Sequence, residues 1–134
     1  MTDAATRQVL VVDDDVGVSE FLASFFALAN IRAVVAETIL EAHRTLEKEV
    51  FQVVFVDKHL PDGNGIDFAG EAKRSFPGTM FVVLTGAATP TTMGAAEDAG
   101  VERCLAKPLA SLEPLEEICE SAFGATWDEI REGR

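Results

Sequence analysis

The sequence has no tyrosine, one tryptophan and two cysteines among its 134 residues. Cys104 and Cys119 are too few to build a disulfide framework, and the residues around them lack metal-ligand spacing. Basic residues are also scarce, since 11 lysines and arginines stand against 23 aspartates and glutamates, for a net charge of −12. Such an excess repels phosphate backbones and anionic lipid surfaces. We therefore expect no direct binding to nucleic acid and no binding to membranes.

Long apolar runs are absent as well. No stretch approaches the ~20 apolar residues that cross a bilayer, and residues 1–7 form a polar leader without the apolar core of a signal peptide. We expect a cytoplasmic protein with reduced thiols. A hydrophobic content of 48% over 134 residues is typical of one globular domain.

The sequence does contain a fivefold alternation of apolar runs and segments with helical spacing. The run from Val53 to Val56 is typical of a strand buried on both faces. The last run carries Glu102 and Arg103, so it is expected at an edge of the sheet. The five predicted strands are residues 9–12, 32–36, 53–56, 80–84 and 101–106. The five predicted helices are residues 16–29, 38–49, 66–75, 89–99 and 111–123.

Capping residues support these helix boundaries. Side chains that accept backbone hydrogen bonds stand where helices should begin, and residues that favour a left-handed conformation stand where three of them should end. The predicted N-caps are Asp15, Thr38, Thr89 and Ser111, and the predicted ends are Asn30, Gly100 and Gly124.

Alternating strands and helices predict an α/β fold in which helices cover both faces of a parallel sheet. Right-handed crossovers allow few strand orders, and we expect 2-1-3-4-5, the flavodoxin-like order. The domain should span residues 1–124, with residues 125–134 as a tail. Thr126 and Glu129 have capping-box spacing, so the tail is read as a short helix or the start of a linker, with a frayed terminus as the alternative.

Polar residues follow the apolar runs at the points where the strands end. Asp13 and Asp14 end the first strand, Asp57 ends the third, Thr85 the fourth and Lys107 the fifth. In the expected order these ends share one edge of the sheet, and open α/β sheets bind their ligands there.

Crowded carboxylates raise one another's pKa unless a cation neutralises them. Hard oxygen ligands suit Mg²⁺, or Mn²⁺, so Asp13, Asp14 and Asp57 are candidate metal ligands. Lys107 supplies a point charge for a phosphate, and the Thr85 hydroxyl supplies a donor. Phosphoryl transfer needs this set, and Asp57 is the natural nucleophile, forming an aspartyl phosphate.

Four motifs in this order resemble those of a response-regulator receiver domain of two-component signalling, over residues 8 to about 123. They are Val11 to Asp15, Asp57 with Leu60 to Gly65, Leu84 to Ala87, and Lys107-Pro108. The resemblance implies a signalling switch rather than an enzyme. Such a switch catalyses only its own phosphorylation and dephosphorylation. Asp57 would accept the phosphoryl group from a phosphohistidine of a histidine kinase or histidine phosphotransferase, and a downstream protein of unspecified identity would read the state.

The resemblance also implies roles for the other site residues. Asp13 and Asp14 would hold Mg²⁺ together with Asp57 and the backbone carbonyl of His59. Thr85 and Lys107 would contact the phosphoryl group.

Three positions depart from the family pattern. Cys104 stands where receivers usually carry an aromatic switch residue, and His59 and Ala87 occupy the two positions that tune the lifetime of the phosphoryl group. Two alternatives therefore stay open. One is a receiver fold that serves only as a constitutive docking module. The other is an aspartate-nucleophile phosphohydrolase of the haloacid dehalogenase type, which would need an acid at position 59.

Other polar residues receive simpler interpretations. Asp15 is interpreted as a helix cap only, and Asp62 and Gly63 as part of a turn. His43 should lie solvated on a polar helix face, and the ring of His59 should take no part in chemistry.

Overall fold

The computed structural model describes residues 7–134, and its main sheet has five parallel strands. The strands are β1 (Gln8–Val12), β2 (Arg32–Ala36), β3 (Val53–Asp57), β4 (Met80–Thr85) and β5 (Arg103–Ala106). They lie in the order β2-β1-β3-β4-β5. The predicted order 2-1-3-4-5 is confirmed, and β5 is an edge strand as expected.

Six helices accompany the strands in the described part of the chain. They are α1 (Val16–Leu28), α2 (Ile39–Lys48), α3 (Gly65–Ser75), α4 (Pro90–Asp98), α5 (Glu113–Phe123) and α6 (Trp127–Arg131). A short antiparallel hairpin pairs His59–Leu60 with Gly63–Asn64 between β3 and α3. Among residues 7–134, no helix is both long and apolar enough to cross a membrane.

Two apolar clusters lie on opposite faces of the sheet, because side chains of a strand point alternately to its two sides. One face packs against α2, α3 and α4, and its apolar cluster includes Leu46, Phe68 and Phe81. The other face packs against α1, α5 and α6, with Phe26 and Phe55 among its largest buried side chains. Helices therefore cover both faces, as predicted.

Three of the four predicted N-caps are confirmed. The side chains of Asp15, Thr38 and Thr89 each accept a hydrogen bond from a backbone N–H in the first turn of the helix they precede. Ser111 as N-cap is wrong by one residue, because α5 begins at Glu113 and Leu112 occupies the cap position. Pro114 has no N–H to donate, so the Ser111 hydroxyl accepts from Glu113 instead, at 3.1 Å.

The other boundaries of the helices and strands lie within two residues of the prediction, and two further differences have an identifiable cause. Strand β5 begins at Arg103 rather than Val101, because the Val101 N–H donates to the carbonyl of Ala96 at the end of α4. The polar leader was predicted to include Arg7, but Arg7 is buried and its guanidinium lies over the Phe123 ring. The rest of the predicted leader, residues 1–6, lies outside the described residues.

Helix α6 packs against the domain rather than projecting from it. Thr126 and Glu129 form a capping box, Trp127 stacks on Phe25 with ring centroids 5.2 Å apart, and Ile130 is fully buried. The division of the chain at residue 124 stays a prediction, but the tail shares the core of the preceding residues.

Candidate functional site

Asp13 lies immediately after β1 and is held by its backbone. Its N–H donates to the carbonyl of Ala36 at 3.0 Å, and the Ser19 hydroxyl donates to its carbonyl at 3.3 Å. The Asp13 carboxylate also accepts a hydrogen bond from the N–H of Asp15 at 2.9 Å. These contacts direct a buried carboxylate toward the carboxyl edge of the sheet.

Asp57 is the last residue of β3, the central strand, and only 7% of it is exposed. Asp14 is exposed beside it. One carboxylate oxygen from each of Asp13, Asp14 and Asp57 lies within 4.8 Å of the other two. The three acids predicted to meet at this edge therefore do meet.

Lys107 joins two of these acids. Its Nζ lies 3.1 Å from Oδ2 of Asp13 and 3.3 Å from Oδ1 of Asp57. Its backbone N–H donates to the carbonyl of Thr85 at 2.7 Å, which aligns the chain after β5 with the end of β4. The peptide bond from Lys107 to Pro108 is cis.

Burial raises the pKa of Asp57, and the charge of Asp13 raises it further. The Lys107 ammonium and a hydrogen bond from the backbone N–H of His59 offset only part of this effect. Burial alone would lower the pKa of Lys107, but its contacts with Asp13 and Asp57 outweigh burial and raise it. The ammonium therefore stays protonated while Asp57 sits in a site that disfavours its charge.

Thr85 ends β4 and is buried. Its hydroxyl oxygen accepts a hydrogen bond from the N–H of Ala87 at 3.1 Å, and the residues from Gly86 to Pro90 are exposed. The hydroxyl thus stands at the start of an exposed loop on the strand next to Asp57.

The chain after Asp57 turns back closely on itself. The N–H of Gly65 donates to the carbonyl of Lys58 at 2.7 Å. A Cβ atom at position 65 would lie 1.9 Å from the carbonyl oxygen of Asp57, so only glycine fits there. His59 opens the hairpin, and its side chain is exposed.

The donor set fits a hard divalent cation. Three carboxylates converge, one of them exposed, and a single ammonium balances part of their charge. Oxygen ligands with one open side suit Mg²⁺, which keeps several waters when bound. Asp13, Asp14 and Asp57 are therefore the residues that could hold it.

A largely apolar cavity of about 320 Å³ opens beside Lys107. Residues of α1 and of the segment between β5 and α5 line it, including Val18, Phe21 and Leu109. Phe21 is 45% exposed, so this cavity gives the charged site an apolar border on the α1 side.

Two side-chain contacts near the site were not predicted. The Lys58 ammonium lies 3.2 Å from the hydroxyl of Thr92 in the first turn of α4. Asp62, interpreted as part of a turn, accepts hydrogen bonds from the backbone N–H groups of Ile39 and Leu40. Partners so far apart in sequence leave no local signal that could have revealed them.

Two other residues singled out in the sequence lie around the site. The prediction that His43 is solvated is wrong. Its side chain is half-buried and packs edge-on against Phe68, with ring centroids 5.0 Å apart. Cys104 is half-buried and packs against the core cluster that covers the α2–α4 face.

The protein-family model for the response regulator receiver domain matches residues 9–119. The chain is 30% identical to the methanogenesis regulatory protein FilR1 of Methanothrix harundinacea, over 96% of this chain and 30% of that protein. It is 28% identical to the response regulator protein PilR of Pseudomonas aeruginosa, over 87% of this chain and 26% of that protein. The chain thus spans about a third of these relatives or less.

Solved structures with the same fold are also similar. A CheY-like receiver domain protein from Methanospirillum hungatei superposes with a TM-score of 0.80 at 25% identity, covering 96% of this chain and 98% of that one. The beryllofluoride-activated NtrC4 receiver domain superposes with a TM-score of 0.80 at 29% identity, covering 87% of this chain and 96% of that one.

Proposed function

This chain belongs to the response regulator receiver domain family, and on that premise we propose that Asp57 is the phosphoacceptor of a two-component system or phosphorelay. The single observation that carries the proposal is the Lys107 ammonium, which contacts Asp13 and Asp57 at the carboxyl edge of the sheet. An ammonium beside a nucleophilic carboxylate can take up the charge of an arriving phosphoryl group. The donor is a phosphohistidine of a histidine kinase or histidine phosphotransferase.

The transfer is a displacement at phosphorus. A carboxylate oxygen of Asp57 forms the new P–O bond, the P–N bond to the donor imidazole breaks, and its electron pair returns to the imidazole nitrogen. Lys107 moves its contact from Asp57 to a phosphoryl oxygen. The Thr85 hydroxyl, which accepts from Ala87 in the resting site, donates to another phosphoryl oxygen.

Asp13, Asp14, Asp57 and the backbone carbonyl of His59 would hold Mg²⁺, or Mn²⁺. When bound, the cation neutralises the crowded carboxylates and the charge of the transferring group. Asp13 is fixed by its backbone contacts and Asp14 remains exposed, so the chain presents one rigid and one adaptable ligand. Unchanged metal titration in Asp14→Ala would contradict this ligand set.

The phosphorylated domain would act through protein contacts. With a net charge of −12, its surface suits a protein partner with basic groups better than nucleic acid or a membrane. We propose a cytoplasmic signalling switch, not an enzyme with an external substrate. The exposed His59 supplies no second carboxylate for a phosphohydrolase. Cys104 in place of an aromatic switch residue is what favours the second candidate, a constitutive docking module.

The direct experiment is phosphorylation by a small donor. Acetyl phosphate with Mg²⁺ should add one phosphoryl group, detected by intact mass and located on Asp57 by peptide mapping. Asp57→Asn should abolish the addition, because an amide is not a competent nucleophile. Asp67→Asn, which removes an exposed acid from the first turn of α3, is the matched control and should be phosphorylated normally.

The outcomes separate the candidates. A label on another residue would show that Asp57 is wrongly assigned, and no label under any condition would favour the docking module. Steady hydrolysis of p-nitrophenyl phosphate, with many turnovers per chain, would favour the phosphohydrolase.

A further inference from the structure

Asp62 lies in the hairpin that follows Asp57 and binds the start of a different helix. Its Oδ1 accepts a hydrogen bond from the N–H of Ile39 at 2.9 Å, and its Oδ2 accepts one from the N–H of Leu40 at 3.1 Å. These two residues open α2, and they precede Asp62 by more than 20 positions in the chain. One carboxylate thus joins two loops at the edge of the site.

The contact completes the capping of α2. The first N–H groups of a helix have no partner within it. Thr38, the N-cap, accepts from Glu41 in the third position through its side chain. The N–H groups of Ile39 and Leu40 are left to Asp62, and an anion at this end of a helix is also favoured by the helix dipole.

Gly63 shows independently that the hairpin lies directly against α2. A Cβ atom at position 63 would lie 2.9 Å from Cδ1 of Ile39, closer than real Cβ atoms approach a neighbour. The hairpin is therefore in van der Waals contact with the first residue of α2. This contact and the two hydrogen bonds of Asp62 join the same two segments.

Each of the two loops that Asp62 joins lies next to one acid of the site. The loop before α2 follows Ala36, whose carbonyl accepts from the N–H of Asp13. The hairpin begins with His59, two positions after Asp57 at the end of β3. A change in the position of one loop against the other would therefore shift the His59 carbonyl relative to Asp13.

We propose that Asp62 is a positioning residue that holds the His59 carbonyl at binding distance from a cation on Asp13 and Asp14. The inference rests on the proposed function, because it assumes that His59 is a ligand. Residues that orient metal ligands typically change metal affinity 10- to 100-fold when they are replaced. Asp62 would act in this way although it touches neither the metal nor the phosphoryl group.

The test is a Mg²⁺ titration of the metal-free full chain, followed by calorimetry and by the amide resonances of Asp57 and His59. Asp62→Ala should raise the Mg²⁺ dissociation constant by roughly tenfold. Asp62→Asn keeps an acceptor oxygen for one N–H and should raise it less, by roughly threefold. Phosphorylation by acetyl phosphate should need correspondingly more Mg²⁺, while the rate at saturating Mg²⁺ returns to within about twofold of wild type.

Asp67→Asn is the control for charge, because it removes an exposed acid from α3 without touching α2. If Asp62→Ala, Asp62→Asn and Asp67→Asn weakened Mg²⁺ binding equally, loss of long-range charge would explain the effect. That result would overturn the inference. So would an unchanged dissociation constant in Asp62→Ala, even with a lower free energy of unfolding. Should Asp62→Ala fail to fold, an Asp62→Asn dissociation constant no higher than that of Asp67→Asn overturns it.

Failure of the proposed function would look different. Wild-type protein that binds no Mg²⁺ and takes no phosphoryl group would contradict the function itself. Wild-type protein that does both, beside an Asp62→Ala variant with the same Mg²⁺ dependence, would contradict only the role of Asp62.

Discussion

Lys107 is the one cation in contact with Asp13 and Asp57 in the described residues, and Asp14 lies beside them. Without a metal ion, the site therefore holds more negative than positive charge in a partly buried place. The raised pKa of Asp57 is the consequence, with burial as its main cause and Asp13 as the second. The fold therefore disfavours the ionised form of Asp57, the residue proposed as the nucleophile.

We predict that Asp57→Asn stabilises the metal-free protein at pH 7. Because the folded-state pKa of Asp57 lies above 3.8, its contribution to stability is complete at pH values below 3.8 and is lost as pH rises through the folded pKa. Asparagine does not ionise, so the variant should unfold at higher urea concentration at pH 7, with an advantage that shrinks toward pH 4. The gain should be about 1 kcal/mol or less, because solvent screens the site.

The comparison needs a chelator in every sample and Asp67→Asn as control. The control acid is exposed, so its replacement should change the free energy of unfolding by less than about 0.5 kcal/mol. A wild-type protein as stable as Asp57→Asn across this pH range would show that the fold does not oppose the charge of Asp57.

The two cysteines should differ sharply in reactivity. Burial raises the pKa of the Cys119 thiol to about 12, with further contributions from Glu116 and Glu120, and the residue is fully buried. Cys104 is only half-buried, so a reagent can reach it, although burial raises the pKa of its thiol as well. We predict that a thiol reagent at pH 8 labels one site on the native protein, Cys104, and reaches Cys119 only in denaturant, since the thiolate is the reactive form.

Intact mass with and without denaturant measures this difference. Cys104→Ser should remove the native-state label and leave the label that appears on unfolding. Rapid double labelling of the native protein would contradict the burial of Cys119.

At the scale of elements, the segment between β4 and α4 is an exposed loop beside the site. Residues from Gly86 to Pro90 are exposed, and the Thr85 hydroxyl holds the loop through Ala87 alone. Helix α4 is anchored separately, because the hydroxyl of buried Thr92 accepts from the Lys58 ammonium. Cys104 on β5 is too small to transmit a change by ring rotation and behaves as a small hydrophobe.

We therefore predict that the loop itself carries the response to phosphorylation. When Thr85 turns to the phosphoryl group, the bond to Ala87 is lost and the loop moves inward. Beryllofluoride, a mimic of the phosphoryl group, should produce the largest amide NMR shifts at residues 85–92 and smaller ones at 101–105. Thr85→Ala, which lacks the hydroxyl, should reduce the loop shifts. Large shifts centred on residues 101–105, with the loop nearly unchanged, would contradict the idea.

At the scale of the whole molecule, the C-terminal segment belongs to the packed domain. Helix α6 lies against α5 and α1, where Trp127 stacks on Phe25 and Ile130 has no exposed surface. The Asn30 side chain donates to the carbonyl of Arg131 at 3.3 Å, and Arg7 donates to that of Arg134. Both ends of the described chain therefore meet on the α1–α5 side.

We predict that Ile130→Ala lowers the free energy of unfolding by about 2–4 kcal/mol, because it removes fully buried methyl groups and leaves a cavity. Leu28→Ala is a suitable control, since Leu28 is 81% exposed and should change stability by less than about 0.5 kcal/mol. Urea unfolding measures both. Equal small losses in the two variants would show that α6 is only loosely attached.

Much of the architecture was predictable because its signals are local. The apolar run before Asp57 predicted a central buried strand, and alternation with helices predicted the strand order that the sheet has. Asp15, Thr38 and Thr89 predicted helix starts because each bonds to an N–H within three residues. The N-cap prediction for Ser111 was wrong by one residue. Pro114 has no N–H to donate, and the Ser111 hydroxyl accepts from Glu113 instead.

The sequence by itself determined which polar residues end the strands, and a parallel sheet brings such ends to one edge whatever the loops do. Only the tertiary structure decided how these residues touch: that Lys107 contacts Asp13 and Asp57, that Lys58 reaches Thr92, and that Asp62 caps α2. The physical reason is distance along the chain. A cap or an apolar period acts within a few residues, whereas these contacts exist only after separate helices and loops have packed against the same sheet.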